Sequence, residues 1–331
     1  MKKLVKILGI VIGLLFLVLV GVYGYVMTQF PKVEPAPELV IQPTPEMIER
    51  GRYLAVTSFS CIDCHSQRDP EKFQMPMVEG TEGQGGMDYG EGAGFVPANN
   101  ITPDIETGIG GWTDGEIFRA ITTGIDKDGE PLAPMMPFML FREVDSTDII
   151  AVISYIKTLK PIHNKIEDKE LNFPLNLIFR TIQGPAAFKP KPDPSDRIAT
   201  GQYLATPCIF CHTPSDQGVM YPDSLLAGGV PFMMPGGGFS VTANITPDKE
   251  TGIGVWTKDM FIKRFKDATN PATYTAAPIG TFNTIMPWSF YGQMTEEDLG
   301  AIYDYIMTVK PVKHQVAEKY IPPSGPQSNR K

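Results

Sequence analysis

Cysteine, histidine and positive charge are all scarce in this sequence. Among 331 residues there are four cysteines and four histidines, and 29 lysines and arginines are outnumbered by 37 aspartates and glutamates. The resulting net charge of −8 argues against a nucleic-acid partner, because such partners are bound by basic surfaces. The glycine-rich stretch 80–94 contains no lysine, which excludes a phosphate-binding loop there. We interpret this stretch as a flexible loop.

The four cysteines form two motifs of identical spacing. Each motif reads Cys-x-x-Cys-His, with CIDCH at 61–65 and CIFCH at 208–212. This is the spacing at which a haem c group is attached covalently. Two cysteines three positions apart lie on one face of a helical turn, and the next histidine then lies under the iron as its ligand. The sequence therefore predicts two covalently attached haem c groups, held by Cys61, Cys64 and His65 and by Cys208, Cys211 and His212.

Three other uses of paired cysteines explain the motifs less well. A zinc site with four thiolates does not require a histidine after each pair. A thioredoxin-like redox pair follows a strand in a βαβ unit, and no such pattern precedes either motif. A disulfide within Cys-x-x-Cys closes a loop too short to stabilise the fold much. None of the three accounts for His65 and His212.

The two motifs lie in a duplicated sequence. Matching segments recur in the same order at 51–55 and 201–205, 100–104 and 244–248, 107–110 and 251–254, 112–113 and 256–257, 136–137 and 286–287, and 160–161 and 310–311. Two copies of this length indicate a tandem duplication of one haem-binding unit rather than a solenoid. Apolar residues within each copy recur at helical spacing. We therefore predict an all-α fold, with two cytochrome c-type haem domains in tandem behind a single N-terminal transmembrane helix.

Several helix starts carry recognisable signals. Thr44 precedes a proline at the first helical position, and Thr113 with Glu116 forms a capping box. The last helix of each copy should begin near Ser146 and near Thr295. Both of these helices should end before a Lys-Pro pair, because the residue before proline avoids helical geometry.

The N-terminus has the pattern of a membrane anchor. Lys2, Lys3 and Lys6 precede an apolar run at 7–22 that is close to the length needed to span a bilayer. The lysines put the N-terminus in the cytoplasm. The haem domains are then expected in the periplasm of a bacterium, attached to the cytoplasmic membrane by a single pass. A cleaved signal peptide is the alternative, although bulky residues occupy the junction where cleavage would occur.

These patterns divide the chain into six segments. The segments are a membrane anchor or signal peptide at 1–28, a proline-rich linker at 29–44, cytochrome c domain 1 at 45–163, an interdomain linker at 164–193, cytochrome c domain 2 at 194–317 and a C-terminal tail at 318–331. The proline-rich linker should be extended, as a spacer from the membrane or as an arm wrapped on the first domain. Domain 2 has a longer segment, 268–277, between its tryptophan and its Met-Pro pair, for which a docking loop is one interpretation.

Each iron needs a second axial ligand, and methionine is the best candidate. Met136 and Met286 are each followed by proline and lie at similar distances after their haem histidines. We predict that both are iron ligands, with Met135 as the local competitor of Met136. Histidine-methionine ligation raises the reduction potential and suits electron transfer. His163 and His314 lie past the last helix of each copy, which is a poor position for a distal ligand.

Other residues near the motifs have two interpretations each. Trp112 and Trp256 could donate an N–H to a haem propionate or simply pack in the core. Asn100 and Asn244 could cap loops along the propionate edge or serve local turns. Four methionines in the glycine-rich loops are interpreted as packing or edge residues: Met75, Met77, Met233 and Met234. Asp63 and Asp69 are interpreted as solvated surface.

The chain resembles the diheme and multiheme c-type cytochromes of the cytochrome c class I superfamily. The resemblance is greatest to the cytochrome subunits of membrane-bound alcohol and gluconate dehydrogenases. It rests on segments 173–174, 211–214, 226–229, 244–248, 251–254, 256–257 and 286–288. It implies an all-α cytochrome fold in each domain, with His65 and Met136 on one iron and His212 and Met286 on the other. The chain departs from the family in having two haem motifs rather than three and a membrane segment at the opposite end.

Three functions follow from these expectations. The first is a membrane-anchored electron carrier, which receives electrons from a dehydrogenase or a quinol-oxidising complex and passes them to an oxidase or another cytochrome. The second is the electron-outlet subunit of a membrane-bound dehydrogenase. The third is a diheme peroxidase, which would need an open axial position on one iron and is disfavoured by two matching Met-Pro pairs. No catalytic residues are predicted.

Overall fold

The structure is a computed structural model, which describes residues 2–90, 92–216, 219–234 and 237–322. The chain is mostly helical in these residues. The helices are α1 (Lys2–Gln29), α2 (Pro45–Val56), α3 (Cys61–Cys64), α4 (Asp114–Thr123), α5 (Phe138–Phe141), α6 (Ser146–Ile156), α7 (Leu175–Ile178), α8 (Arg197–Leu204), α9 (Thr206–His212), α10 (Lys258–Asp267), α11 (Trp288–Tyr291) and α12 (Glu296–Ile306).

Short strands also occur between the helices, so the all-α prediction is only approximate. They are β1 (Gly94–Phe95), β2 (Glu170–Leu171), β3 (Ser215–Asp216), β4 (Val219–Met220), β5 (Pro231–Met233), β6 (Phe239–Val241) and β7 (Tyr320–Ile321). All pairs are antiparallel, with β1 next to β2, β3 next to β4, and β6 between β5 and β7. The strands provide partners for backbone groups of long loops, which must be hydrogen-bonded wherever they are buried.

The first helix stands apart from the rest in its composition. α1 is 28 residues long, none of its residues is buried, and its most apolar window has a mean hydropathy of 2.8. A helix rises about 1.5 Å per residue, so α1 is long enough to cross the apolar core of a bilayer. The predicted N-terminal apolar helix is therefore confirmed, and it fits a single-pass membrane anchor.

The predicted helix starts are confirmed by their caps. Thr44 accepts a hydrogen bond from the Met47 N–H at 3.2 Å. The box of Thr113 and Glu116 is complete, with bonds of 3.2 and 2.7 Å. Each such cap typically contributes about 1 kcal/mol. The last helices end at Ile156 and Ile306, before the Lys-Pro pairs, because their final turns tighten into short-range backbone bonds.

The same helix crossing occurs once in each copy of the repeat. α2 packs against α6, and α8 packs against α12. A methyl group added at Gly51 would lie 1.8 Å from the Ala151 carbonyl oxygen, and one added at Gly201 would lie 1.9 Å from that of Ala301. Both helix pairs therefore approach so closely that only glycine fits at the crossing.

The two copies share one hydrophobic cluster. Leu54 and Ile153 of the first copy and Leu204 and Ile302 of the second belong to it, each no more than 3% exposed. Burying such a side chain contributes about 1.5–3 kcal/mol. The Phe59 ring bridges the copies, since its centroid lies 6.5 Å from that of Tyr203. Separating the copies would expose apolar surface on both.

Two tyrosines connect the copies reciprocally. The Tyr53 hydroxyl of the first copy donates to Asp298 at the start of α12. The Tyr203 hydroxyl of the second copy donates to Asp148 at the start of α6, at 2.8 Å. Asp148 is 1% exposed and also accepts two hydrogen bonds from Arg50, at 3.0 and 2.7 Å. The two copies are thus related by matching contacts in both directions.

The proline-rich linker and the interdomain segment contact the first copy, whereas the C-terminal strand joins the second. The proline-rich stretch 29–44 runs along α4, where Asp114 accepts from the Ile41 N–H at 2.8 Å and Arg119 donates to the Glu34 carbonyl at 3.1 Å. The stretch is therefore a wrapped arm rather than a free spacer. Segment 164–193 contributes β2 and, further on, a backbone bond from Ala187 to Arg142 of 2.8 Å. Of the predicted tail, β7 joins the three-stranded sheet, and residues 323–331 lie outside the described part.

Candidate functional site

A cavity of about 2160 Å³ lies between the two copies of the repeat. Sites for single small molecules typically measure about 300–1,000 Å³, so this cavity has room for more than one large group. Its walls include both Cys-x-x-Cys-His motifs and both Met-Pro pairs. All eight predicted site residues therefore line one cavity: Cys61, Cys64, His65, Met136, Cys208, Cys211, His212 and Met286.

Helical turns present the cysteines to the cavity. α3 consists of the first Cys-x-x-Cys segment alone, and α9 carries the second segment together with His212. All four thiols are half-buried in the cavity wall. Burial raises the pKa of the Cys61 and Cys208 thiols to about 12. A redox-active pair needs a lowered thiol pKa, so the surroundings do not suit a thioredoxin-like function.

The two histidines are held in the same way. The Nδ1–H of His65 donates to the Asn99 carbonyl at 2.7 Å, and that of His212 donates to the Ala243 carbonyl at 2.7 Å. A carbonyl only accepts, so Nδ1 carries the proton and Nε2 keeps its lone pair for a metal. Removal from water lowers the pKa of both imidazoles, which favours the neutral form that binds iron.

Two glycines bring the Asn99 and Ala243 carbonyls close to the histidines. The sequence alone did not indicate this role of the glycines. Gly85 donates its N–H to the His65 carbonyl at 2.8 Å, and Gly228 donates to the His212 carbonyl at 2.7 Å. Both have positive φ, of 71° and 70°. A methyl group on Gly85 would lie 2.4 Å from the Ala98 carbonyl oxygen. Stretch 80–94, interpreted as flexible, is therefore hydrogen-bonded beside the first histidine in its described residues.

The two predicted methionine ligands sit at equivalent positions before α5 and α11. Met136 and Met286 are half-buried and line the cavity, and in each case the N–H two residues later donates to the methionine carbonyl at 2.8 Å. Met135, the competitor, lines the same cavity. By contrast, Met75 is 0% exposed and Met234 is 6% exposed, as expected of packing residues. The ligand assignment of Met136 and Met286 stays a prediction.

The other two histidines, His163 and His314, contact different groups. His163 lies at the cavity rim with its side chain 61% exposed, 3.7 Å from an Asp104 oxygen and 3.8 Å from a Glu106 oxygen. His314 donates through Nδ1 to the Ala227 carbonyl at 2.9 Å.

The asparagine that recurs in each copy makes its hydrogen bonds within a loop and to the chain after the last helix. The Asn100 amide donates to Thr107 at 3.1 Å and to the Ile162 carbonyl at 2.8 Å, and its oxygen accepts from Thr102. Asn244 makes the same set of bonds in the second copy. Each asparagine thus ties the chain after the last helix to the loop before the tryptophan. Trp112 and Trp256 line the cavity and pack against the core.

Asp63 was interpreted as solvated surface, and that interpretation was wrong. Asp63 is 5% exposed, and its Oδ1 lies 3.3 Å from Nη1 of the buried Arg68. Burial raises the pKa of the Asp63 carboxyl, and the Arg68 guanidinium opposes that rise. Its neighbour Ser60 donates to the Tyr291 hydroxyl of the second copy at 3.0 Å. The residues flanking the first motif therefore face the second copy, which no local pattern could have indicated.

Several known proteins similar to this chain are named as cytochromes or cytochrome subunits. A cytochrome c subunit of alcohol dehydrogenase (quinone) from Gluconacetobacter polyoxogenes is 28% identical over 279 residues, which cover 80% of this chain and 56% of the relative. A gluconate 2-dehydrogenase cytochrome c subunit from Pantoea cypripedii is 26% identical over 278 residues, which cover 80% of this chain and 59% of the relative. A diheme cytochrome c-type protein from Cereibacter sphaeroides is 28% identical over 246 residues, with 72% and 79% covered.

The chain spans a little over half the length of the two dehydrogenase subunits, and no family model matches it. The resemblance predicted from the motifs is confirmed by these relatives. The names of these relatives agree with the two Cys-x-x-Cys-His motifs and with the neutral imidazoles in the cavity wall, whose unprotonated Nε2 atoms can bind a metal. The chain is similar to the cytochrome c subunits of alcohol and gluconate dehydrogenases and to a diheme c-type cytochrome.

Proposed function

We propose that the chain is a membrane-anchored diheme c-type cytochrome, built as a tandem duplication of two haem domains, that transfers single electrons. The observation that carries this proposal is the single cavity lined by both Cys-x-x-Cys-His motifs and both Met-Pro pairs. The relatives named as cytochromes support it independently.

The residues in the cavity wall fit a haem c group on each side. Cys61 and Cys64 would hold the first group and Cys208 and Cys211 the second, while His65 and His212 offer unprotonated Nε2 atoms. Met136 and Met286 would complete the coordination. When bound, each haem supplies an iron that accepts and releases one electron. The protein contributes the attachment points and the fixed imidazoles.

Two methionine ligands favour a carrier over a peroxidase. A sulfur ligand raises the reduction potential and closes the coordination sphere, whereas a peroxidase needs one open or displaceable position. A shared cavity also favours transfer between the two haems, because the hydrophobic cluster fixes the copies relative to each other.

The membrane location rests on α1 and its flanking charges. Lys2, Lys3 and Lys6 precede the apolar run, and such lysines favour the cytoplasmic side. The haem domains then lie on the periplasmic side of the cytoplasmic membrane of a bacterium, where haem c attachment takes place. The electron donor would be a dehydrogenase or a quinol-oxidising complex, and the acceptor an oxidase or another cytochrome.

A second candidate is the electron-outlet subunit of a membrane-bound dehydrogenase. The names of two relatives, a subunit of alcohol dehydrogenase (quinone) and one of gluconate 2-dehydrogenase, favour it. Isolation of the full chain from its native membrane distinguishes the two functions. A flavin- or quinone-containing enzyme that co-purifies in a fixed ratio identifies a subunit, and recovery of the cytochrome alone identifies a carrier.

The ferric optical spectrum tests the ligand set. Methionine sulfur bound to ferric haem gives a weak red band, which the wild type should have. Met136→Ala and Met286→Ala should each lose about half of it, since each iron has one sulfur ligand. Met135→Ala is the matched control and should keep the whole band. A wild type without the band, or loss confined to one variant, would mean that at least one iron has another ligand or an open position.

A further inference from the structure

The longer segment of the second copy is bound by the first copy. We call residues 268–285 the clasp segment and residues 68–77 the receiving loop. The Phe73 N–H of the receiving loop donates to the Thr275 carbonyl at 2.8 Å, and the Ala277 N–H donates back to the Glu71 carbonyl at 2.7 Å. The extra residues therefore form an antiparallel contact across the two copies.

Asn283 anchors the end of the clasp segment. Its side chain is buried, with the residue 4% exposed. Its amide donates to the Pro70 carbonyl at 3.1 Å and to the Lys72 carbonyl at 2.9 Å. Its oxygen accepts from the Gln74 N–H at 2.9 Å and from the Thr284 N–H at 2.8 Å. One side chain thus satisfies three backbone groups of the opposite copy.

Arg68 reaches from the receiving loop to the residue next to Met286. Its side chain is 1% exposed, and its guanidinium donates to three backbone carbonyls. Nε bonds Met75 at 2.8 Å, Nη2 bonds Gln74 at 3.0 Å, and Nη1 bonds Ile285 at 3.0 Å. The first two carbonyls belong to its own copy, and the third belongs to the other.

The backbone around Arg68 is strained in a way that suits this contact. Gln74 and Met75 have φ of 70° and 44°, in the left-handed region that non-glycine residues rarely adopt. This conformation turns both carbonyls toward Arg68. Strain of this kind persists only where surrounding contacts hold it, and the planar fork of arginine offers donors in matching directions.

The same network continues to Met286 itself. The Met286 N–H donates to the Thr284 hydroxyl at 3.1 Å, and Thr284 is bound to Asn283. The two residues before Met286 are therefore tied to the first copy, Ile285 through Arg68 and Thr284 through Asn283. Met136 differs, because its N–H donates to Ala133 of its own copy at 3.0 Å and the preceding Leu132 is bound by Gln183 of the following segment at 3.2 Å.

We propose that Arg68 is a positioning residue for Met286, acting across the boundary between the two copies together with Asn283. The first copy then sets the methionine ligation of the second haem, whereas the backbone beside Met136 is held by its own copy and by the segment that follows it. Asp63, which pairs with Arg68, lies between the first two cysteines, so the attachment site of one haem joins the same network. This inference rests on the proposed function, in which Met286 is an iron ligand.

The test compares Arg68→Gln with Arg119→Gln. Arg119 is a matched control, since it is 8% exposed and also donates to backbone carbonyls, those of Glu34 at 3.1 Å, Asp126 at 2.5 Å and Lys127 at 3.3 Å, none of which adjoins a Met-Pro pair. The measurements on the full holoprotein are the ferric red band and a redox titration followed optically. Arg68→Gln should lose about half of the band and lower one of the two midpoint potentials, since methionine ligation raises the potential. Arg119→Gln should keep the band and both potentials.

Retention of the full band and of both potentials in Arg68→Gln overturns the inference. If Arg68→Gln does not fold, the same measurements on Asn283→Ser replace it. Loss of the same half of the band in Asn283→Ser supports the inference, and retention of the full band overturns it. Met286→Ala distinguishes a failure of the ligand assignment from a failure of this inference alone. A full band in Met286→Ala refutes the ligand assignment and this inference together, whereas a half band there with a full band in Arg68→Gln refutes this inference alone.

Discussion

Replacing Tyr203 by phenylalanine removes one hydroxyl that joins the two copies of the repeat. That hydroxyl donates to Asp148 at 2.8 Å, and the ring also packs near Phe59. Phenylalanine keeps the ring and deletes only the hydrogen bond. The bond crosses from the start of the second copy to the last helix of the first, so its loss weakens the contact that fixes the two candidate haem sites relative to each other.

The size of the effect follows from the charge and burial of Asp148. A hydrogen bond to a charged group contributes about 1.5–3 kcal/mol. Asp148 is 1% exposed, but its partner Arg50 is 38% exposed and continues to neutralise the carboxylate in the variant. We therefore expect Tyr203→Phe to lower the free energy of unfolding by about 1.5 kcal/mol, near the lower end of that range. Asp148→Asn also removes the ion pair and should cost more, about 3 kcal/mol.

A double-mutant cycle isolates the bond. Urea unfolding of the holoprotein, followed by far-ultraviolet circular dichroism, gives the free energies of the two single variants and the double variant. The coupling energy should be about 1 kcal/mol. Tyr155→Phe is the matched control, because the Tyr155 hydroxyl makes no hydrogen bond within the described part of the chain, and it should change stability little. A coupling energy indistinguishable from zero would refute a direct Tyr203–Asp148 contact between the copies.

Three further predictions concern glycine packing and acid stability. Gly51→Ala should lower the free energy of unfolding by about 1–3 kcal/mol, because its methyl group would lie 1.8 Å from the Ala151 oxygen. A variant as thermally stable as the wild type would contradict the close helix crossing. Gly228→Ala should lower the free energy of unfolding more than Gly129→Ala does. Both glycines have positive φ, but only a methyl group at Gly228 would meet backbone atoms, at 2.3 Å. Equal losses of unfolding free energy in the two variants would mean that φ alone causes the effect. Hydrogen bonds from the Thr251 hydroxyl and N–H lower the pKa of Asp248 from 3.8, so its stabilisation is present above that pH and lost as the pH falls through the lowered pKa. Asp248→Asn should therefore flatten the acid limb of the stability profile, and an unchanged limb would contradict this assignment.

Local features of the fold were predictable from the sequence. Thr44, Thr113 and Glu116 cap helices through bonds within four residues, so the residues that make the cap also identify it. The Cys-x-x-Cys-His spacing is equally local. The short strands were not predictable, because two or three residues carry no alternating pattern, and the partners of β1 and of β7 lie far away in the chain.

Contacts between the copies were the features that sequence reasoning missed. Asp63 is charged and lies beside a motif, which on composition alone indicates solvent exposure. Its burial depends on Arg68 and on the clasp segment of the other copy, more than 200 residues away in the chain. Gly85 and Gly228 position the histidine partners through backbone approach, and only the three-dimensional arrangement distinguishes them from ordinary turn glycines.

The intact mass of the full chain purified from its membrane tests the central claim most directly. We expect a polypeptide carrying two covalently bound haem groups, and one haem in each of the paired variants Cys61→Ser with Cys64→Ser and Cys208→Ser with Cys211→Ser. A polypeptide mass without haem, or a wild type with only one haem that is lost in one paired variant alone, would contradict the diheme assignment.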